Sequence, residues 1–114
     1  MSYFNNKTVW ITGASSGIGR ALAIVFAENG AKCILSARNE DALAATKNMC
    51  SHPEKHILLP LDVTDELRVE YSVSKVIELG GVDILINNAG VSQRSTVEKT
   101  DMNVYRSLME VNYF

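Results

Sequence analysis

Three glycines, Gly13, Gly17 and Gly19, stand where this chain could do chemistry. They belong to the run Thr12-Gly13-Ala14-Ser15-Ser16-Gly17-Ile18-Gly19, whose other small residues include the hydroxyls of Ser15 and Ser16. Glycine tolerates positive φ, and without a Cβ its backbone can come close to a ligand. Val9-Trp10-Ile11, just before the run, is long enough for a buried strand. Beyond it, Ile18, Ala21, Leu22, Val25 and Phe26 fall at i, i+3, i+4, i+7 and i+8, which predicts a helix with those residues along one face. A strand, a glycine turn and a helix start make an anion site. The free N–H groups of the first helical turn face the ligand, with the positive end of the helix dipole behind them. A pyrophosphate suits such a site. The spacing is Gly-x-x-x-Gly-x-Gly, which differs from the Gly-x-Gly-x-x-Gly fingerprint and from the P-loop of nucleoside triphosphatases.

Four further signals stand beside the glycine turn. In dinucleotide folds an acid about 20 residues past the glycines takes the ribose hydroxyls of NAD, whereas a nearby arginine accommodates the 2′-phosphate of NADP. Here that place holds Ala37 followed by Arg38. A charge-assisted hydrogen bond contributes roughly 1.5–3 kcal/mol, so Arg38 predicts a preference of about 10- to 100-fold for NADP(H) over NAD(H). Ser36 is a weaker candidate for that phosphate. Asp62 follows the third apolar run, at the end of a strand where open α/β sheets bind ligands, and its carboxylate could accept from an adenine amino group. Asn87-Asn88-Ala89-Gly90 follows the fourth run. Its asparagines can both donate and accept, and Ala89 and Gly90 leave room for a ligand across the strand ends. Asn112 lies on or beside the inward stripe Val104, Leu108 and Val111 of a last predicted helix, where a buried amide needs partners.

The elements that must position these residues alternate along the chain. The first helix is expected from Gly17 to Asn29, ending at Gly30. A strand follows over Lys32 to Ala37. Asn39 caps a helix from Glu40 to about Cys50, with Leu43 and Met49 inward. Ile57-Leu58-Leu59 forms the third strand. Asp65 caps a helix to about Leu79 with Val69, Val73, Val76 and Ile77 on its inner face. The fourth strand is Asp83 to Asn87, and a loop from Asn88 to Thr100 leads to the helix that starts near Asp101 and persists to Phe114. Alternating strands and helices with wholly apolar strands imply a parallel sheet covered on both faces, an α/β fold. Right-handed crossovers order its strands 3-2-1-4.

A chain of 114 residues is one small domain with a real core. A net charge of −2 makes no electrostatic case for nucleic acid or an acidic membrane. No apolar run approaches the roughly 20 residues of a membrane span. The first strand begins too early to follow a signal peptide, so a cytoplasmic location is expected. Cys33 and Cys50 have no motif spacing and read as reduced thiols. His52 and His56 lack partners at metal spacing, so no metal site is expected, and both read as surface residues.

Thr12 to Gly19 resembles the cofactor motif of the short-chain dehydrogenase/reductase family. Leu61-Asp62-Val63-Thr64-Asp65 resembles its adenine-site motif, Asn87 to Gly90 its sheet-steadying quartet, and Val111 to Phe114 its active-site helix. The resemblance implies a Rossmann-type sheet. It assigns cofactor contact to Gly13, Ser15, Ser16, Gly17, Ile18, Gly19, Asp62, Val63, Asn88, Ala89 and Gly90. It gives Asn112 a catalytic role, holding a water in a proton relay to a lysine. It also implies hydride transfer between nicotinamide and a small carbonyl or alcohol substrate. The exposed fourth-strand edge and the last predicted helix favour association into a homo-oligomer. Gln93-Arg94-Ser95 and Met109 to Phe114 resemble the member-seven subgroup, associated with retinoid or steroid carbonyls.

The chain departs from the family after the asparagine helix, where members continue to a catalytic serine and then a Tyr-x-x-x-Lys and this chain has neither; no lysine follows Tyr113. The expectation is therefore that residues 1–114 form the N-terminal, cofactor-binding half of such an enzyme, inactive alone, with the fourth strand left as an open apolar edge. A stand-alone NADP-binding or redox-sensing module and a purely structural α/β fragment are the competing readings. The module keeps the glycine turn and Arg38 without catalysis, and the fragment binds no nucleotide.

Overall fold

The computed structural model describes residues 3–62 and 64–88 together with the backbone of residues 109–112. Val9-Trp10-Ile11 lies in the strand β1, Thr8–Thr12. Alternate side chains of a strand point to opposite faces, so Val9 and Ile11 enter one core cluster and Trp10 the other. A strand buried on both faces reads as a continuous apolar run. The same holds for β2, Lys32–Ser36, and β4, Ile84–Asn87. With β3, Ile57–Leu58, these strands form a parallel sheet in the expected order 3-2-1-4. The register sets Trp10 beside Ile34 and Leu85, and Thr12 beside Ser36. Asp83 fixes the start of that register: its Oδ2 accepts from the Thr8 N–H at 2.8 Å.

Helices α1, Gly17–Glu28, and α2, Glu40–Met49, join the cluster on one face, and α3, Glu66–Glu78, the cluster on the other. The expected caps form. Asn39 Oδ1 accepts from the Ala42 N–H at 3.0 Å, and Asp65 Oδ1 accepts from Leu67 and Arg68 at 3.1 and 3.3 Å.

Several expected faces turn out rotated. In α1 the buried residues are Gly19, Ala23 and Ala27, while Ile18 is 66% exposed and Val25 51%. Small residues four apart let the helix approach the sheet closely, so the larger apolar residues are displaced to its flank. In α2 the inward positions are Leu43 and Thr46, with Cys50 buried beyond, and Met49 is exposed. In α3 Val69, Ser72, Val73 and Val76 are buried and Ile77 is exposed. His56 is also buried rather than on the surface. Its Nδ1 accepts from the Cys33 N–H at 3.0 Å, and its Nε2 lies 2.8 Å from the Ser51 carbonyl.

The expected last helix does not extend over Met109–Asn112. These residues form β5, which pairs parallel to β4 from Ile84↔Met109 to Asn87↔Asn112. The rest of that predicted helix lies outside the described residues. The open edge expected for β4 is therefore closed. Pairing satisfies a row of backbone N–H and C=O groups that an apolar edge would otherwise leave unmet, and the β-branched Val111 opposite Ile86 suits a strand.

Candidate functional site

The carboxyl ends of the strands converge on a cleft of about 460 Å³. Gly13 reaches it from β1, Arg38 from β2, Asp62 from the segment after β3 and Asn88 from β4, with Ser15 and Ser16 along the turn.

The turn is held from three sides. Gly13 has φ +64° and Gly17 φ +55°, the left-handed region that favours glycine. A Cβ on Gly13 would stand 2.9 Å from the Asn88 carbonyl oxygen, and one on Gly19 would run into the Gly13 carbonyl. Thr12 ties β1 to β4. Its Oγ1 accepts from the Asn88 N–H at 2.9 Å and lies 3.2 Å from Asn87 Oδ1, to which it can donate. Ala14 donates its N–H to the Ser36 carbonyl at 3.1 Å and accepts from the Thr46 hydroxyl at 2.8 Å.

The start of α1 differs from the starts of the other two described helices. α2 and α3 have a side-chain cap and acidic residues in the first turn. α1 has neither: the Ser16 side chain makes no cap bond, and no acid lies in its first turn. Uncapped N–H groups with no competing carboxylate are what an anionic ligand needs.

Arg38 supplies the positive charge at the far end of the cleft. Asp62 lies close enough to feel it. Hydrogen bonds from the Thr64 hydroxyl and N–H, at 2.6 and 2.9 Å, hold the Asp62 carboxyl below its usual range, with a smaller contribution from the Arg38 charge. Both bonds land on Oδ1. Ser36, the weaker candidate for the 2′-phosphate, lines the cleft. Its Oγ accepts from Trp10 Nε1 at 2.8 Å, and the residue is buried. Burial pushes the Cys33 thiol up to about 12 and raises that of Cys50, so both stay protonated and unreactive. Among the described residues, no three His, Cys, Asp or Glu side chains could together hold a metal ion.

The sequence model of short chain dehydrogenase matches residues 7–114. The chain belongs to the short-chain dehydrogenase/reductase family. It is 47% identical over 114 residues to the human dehydrogenase/reductase SDR family member 7, covering 95% of this chain and 34% of that protein. The chain thus spans about a third of this relative's length, and the member-seven resemblance is supported. Among solved structures, the glucose dehydrogenase of Caenorhabditis elegans in its apo form matches with a TM-score of 0.82 and 27% identity, over 97% of this chain and 55% of that one. The L-sorbose reductase of Gluconobacter frateurii, complexed with NADPH and L-sorbose, matches with a TM-score of 0.75 and 26% identity, over 94% and 52%.

For this dehydrogenase/reductase chain, the cleft brings together Gly13, Ser15, Ser16, Arg38, Asp62 and Asn88. Gly17, Ile18 and Gly19 stand outside its lining, Gly19 buried behind the turn and Ile18 turned to solvent. Val63, Ala89 and Gly90 lie outside the described residues, and only the backbone of Asn112 is described. The cleft also takes in Asn39 and Thr64, which the sequence marked only as a cap and as part of a motif. Thr46, one layer behind, carried no signal, because a single hydroxyl on a helix looks like any polar residue.

Proposed function

We propose that this chain is the cofactor-binding portion of an NADP(H)-dependent oxidoreductase acting on a small carbonyl or alcohol. The observation that carries this reading is the uncapped, acid-free start of α1 opening into a cleft that ends at Arg38. The residues fit a dinucleotide. The turn holds its shape only with glycine at positions 13 and 19, where a Cβ would collide with Asn88 and with the Gly13 carbonyl, and an arginine rather than a carboxylate follows β2. The NADPH complex of L-sorbose reductase supports the same choice.

When bound, the nicotinamide supplies or accepts the hydride. The turn from Gly13 to Gly17 would hold the pyrophosphate through backbone N–H groups. Arg38 would hold the 2′-phosphate, and Asp62, ionised and with Oδ2 outside its bonds to Thr64, would accept from the adenine amino group. Asn88 would keep the turn against β4 beside the ribose. The relay role that the resemblance gives Asn112 presupposes a helix, whereas its backbone lies in β5, so the proposal rests on the cofactor residues. Residues 1–114 would then be the first half of a single catalytic domain. The substrate contacts and association into a homo-oligomer would belong to the whole protein. Among the described residues no helix is long and apolar enough to cross a membrane, and a cytoplasmic location is part of this proposal.

Arg38→Ala tests the reading. NADPH affinity should fall about 10- to 100-fold, the loss of one charge-assisted bond, while NADH affinity stays unchanged. Equal affinities for NADPH before and after the substitution would remove Arg38 from the site.

A further inference from the structure

A turn that binds phosphate must aim N–H groups at the ligand and its carbonyls elsewhere. Ala14 lies inside the turn, and its carbonyl is taken by the Thr46 hydroxyl at 2.8 Å. Thr46 is wholly buried and lies 32 positions along the chain, on α2. A hydroxyl has one proton, and the Ala42 carbonyl, one turn back in α2, lies further away at 3.2 Å. Arg20 decides between the two. Its Nε donates to Thr46 Oγ1 at 2.8 Å, and its Nη2 donates to the Ala42 carbonyl at 3.2 Å. The guanidinium thus occupies a lone pair of the hydroxyl and fills the competing carbonyl. The Thr46 proton is left for Ala14. Charge-assisted donors are short and strong, and a chain of such bonds polarises along its length.

We propose that Thr46, oriented by Arg20, is a positioning residue for the phosphate-binding turn: the chain Arg20 to Thr46 to the Ala14 carbonyl holds that carbonyl away from the ligand. Arg20 follows Gly19 directly, so the clamp runs from the end of the turn through α2 back to its start. The inference rests on the cofactor reading above and adds a selectivity signature to it. Arg38 addresses the 2′-phosphate, which NADPH alone carries. The Ala14 clamp addresses the pyrophosphate, which NADPH and NADH share.

Binding of NADPH and of NADH is measured by calorimetry on the unsubstituted chain and on Thr46→Val, Thr46→Ser, Arg20→Gln and Val76→Ala, with a thermal melt for each. Thr46→Val keeps the volume and removes the hydroxyl, and it should weaken both nucleotides by the same factor, tenfold or more. Thr46→Ser restores the hydroxyl and should bind within about threefold of the unsubstituted chain. Arg20→Gln should weaken both nucleotides less than Thr46→Val. Val76→Ala, on the opposite face of the sheet, should lower the melting temperature without changing either affinity. If Thr46→Val unfolds, the Arg20→Gln and Thr46→Ser pair carries the test, and unchanged binding by Arg20→Gln overturns the clamp. Normal binding by Thr46→Val overturns this inference alone, as does binding by Thr46→Ser as weak as by Thr46→Val. Failure of the unsubstituted chain to bind either nucleotide overturns the cofactor reading and this inference with it.

Discussion

A methyl group at Gly19 would meet the backbone carbonyl of Gly13, which has no side chain to swing aside. Forcing atoms into a packed site costs about 1–3 kcal/mol. Gly19→Ala should therefore lower the melting temperature by roughly 4–8 °C per kcal/mol lost, and NADPH binding should disappear with the opened turn. Gly17 makes the contrasting case. A Cβ there meets nothing within 4 Å, so only its φ of +55° opposes substitution. Left-handed backbone costs an ordinary residue about 1–2 kcal/mol and asparagine less. Gly17→Asn should stay folded and lose little melting temperature. A melt showing Gly17→Asn as damaging as Gly19→Ala would mean that φ, not crowding, governs the turn. Both glycine requirements were legible from type and spacing. The bonds behind the turn were not. Trp10 to Ser36 and Thr46 to Ala14 join residues 26 and 32 apart, and a hydroxyl carries no periodicity that names its partner.

Among the elements, the short stretch from Ser51 to His56 ties α2 to β2 through one imidazole. His56 Nδ1 accepts from the Cys33 N–H, so the ring is neutral with its proton on Nε2, donating to the Ser51 carbonyl. Protonation would place a second N–H against that of Cys33. Burial, followed by smaller contributions from Lys55 and Lys47, lowers the His56 pKa below its ordinary 6.5, although the Ser51 carbonyl and Glu54 pull the other way. The unfolded chain therefore binds more protons just below pH 6.5, and stability rises with pH there. Stability should be full above pH 6.5 and decline as the pH falls from 6.5 towards the folded-state value. Urea midpoints at pH 7.5 and 5.5 measure this. His56→Gln should be less stable at pH 7.5 and should lose most of the difference between the two. A variant that keeps the full difference would place the titrating group elsewhere. The elements themselves were largely legible, since apolar runs named the four strands and Asn39 and Asp65 named two helix starts. Their faces were less so. In α1 the inward stripe is Gly19, Ala23 and Ala27, and hydrophobicity alone favours Ile18 and Val25. β5 was missed because Met109–Asn112 follows helical spacing, while the unpaired edge of β4 offers it backbone partners.

For the whole molecule, the sheet divides the core in two. Val9, Ile11 and Leu35 pack with α1 and α2 on one side, and Trp10, Ile34 and Leu85 pack with α3 on the other. The two clusters hang on the same strands, one residue apart, so neither can loosen without disturbing the backbone that carries its counterpart. A domain built this way should unfold as one cooperative unit. Trp10 is the single tryptophan and is 2% exposed, so its emission reports the α3 side alone. Leu43 is fully buried on the opposite side. Leu43→Ala should cost about 2–5 kcal/mol through lost burial and the cavity left behind. It should leave the folded-state emission of Trp10 unchanged, whereas Val73→Ala, in the Trp10 cluster, should shift that emission. In a urea titration of Leu43→Ala, Trp10 emission and far-ultraviolet circular dichroism should report the same lowered midpoint, although the substitution lies across the sheet from the reporter. If the Trp10 midpoint stays where it is in the unsubstituted chain while the dichroism midpoint falls, the two faces unfold separately. In that case the turn, Arg20 and Thr46 could come apart while β1 and the Trp10 cluster remain intact.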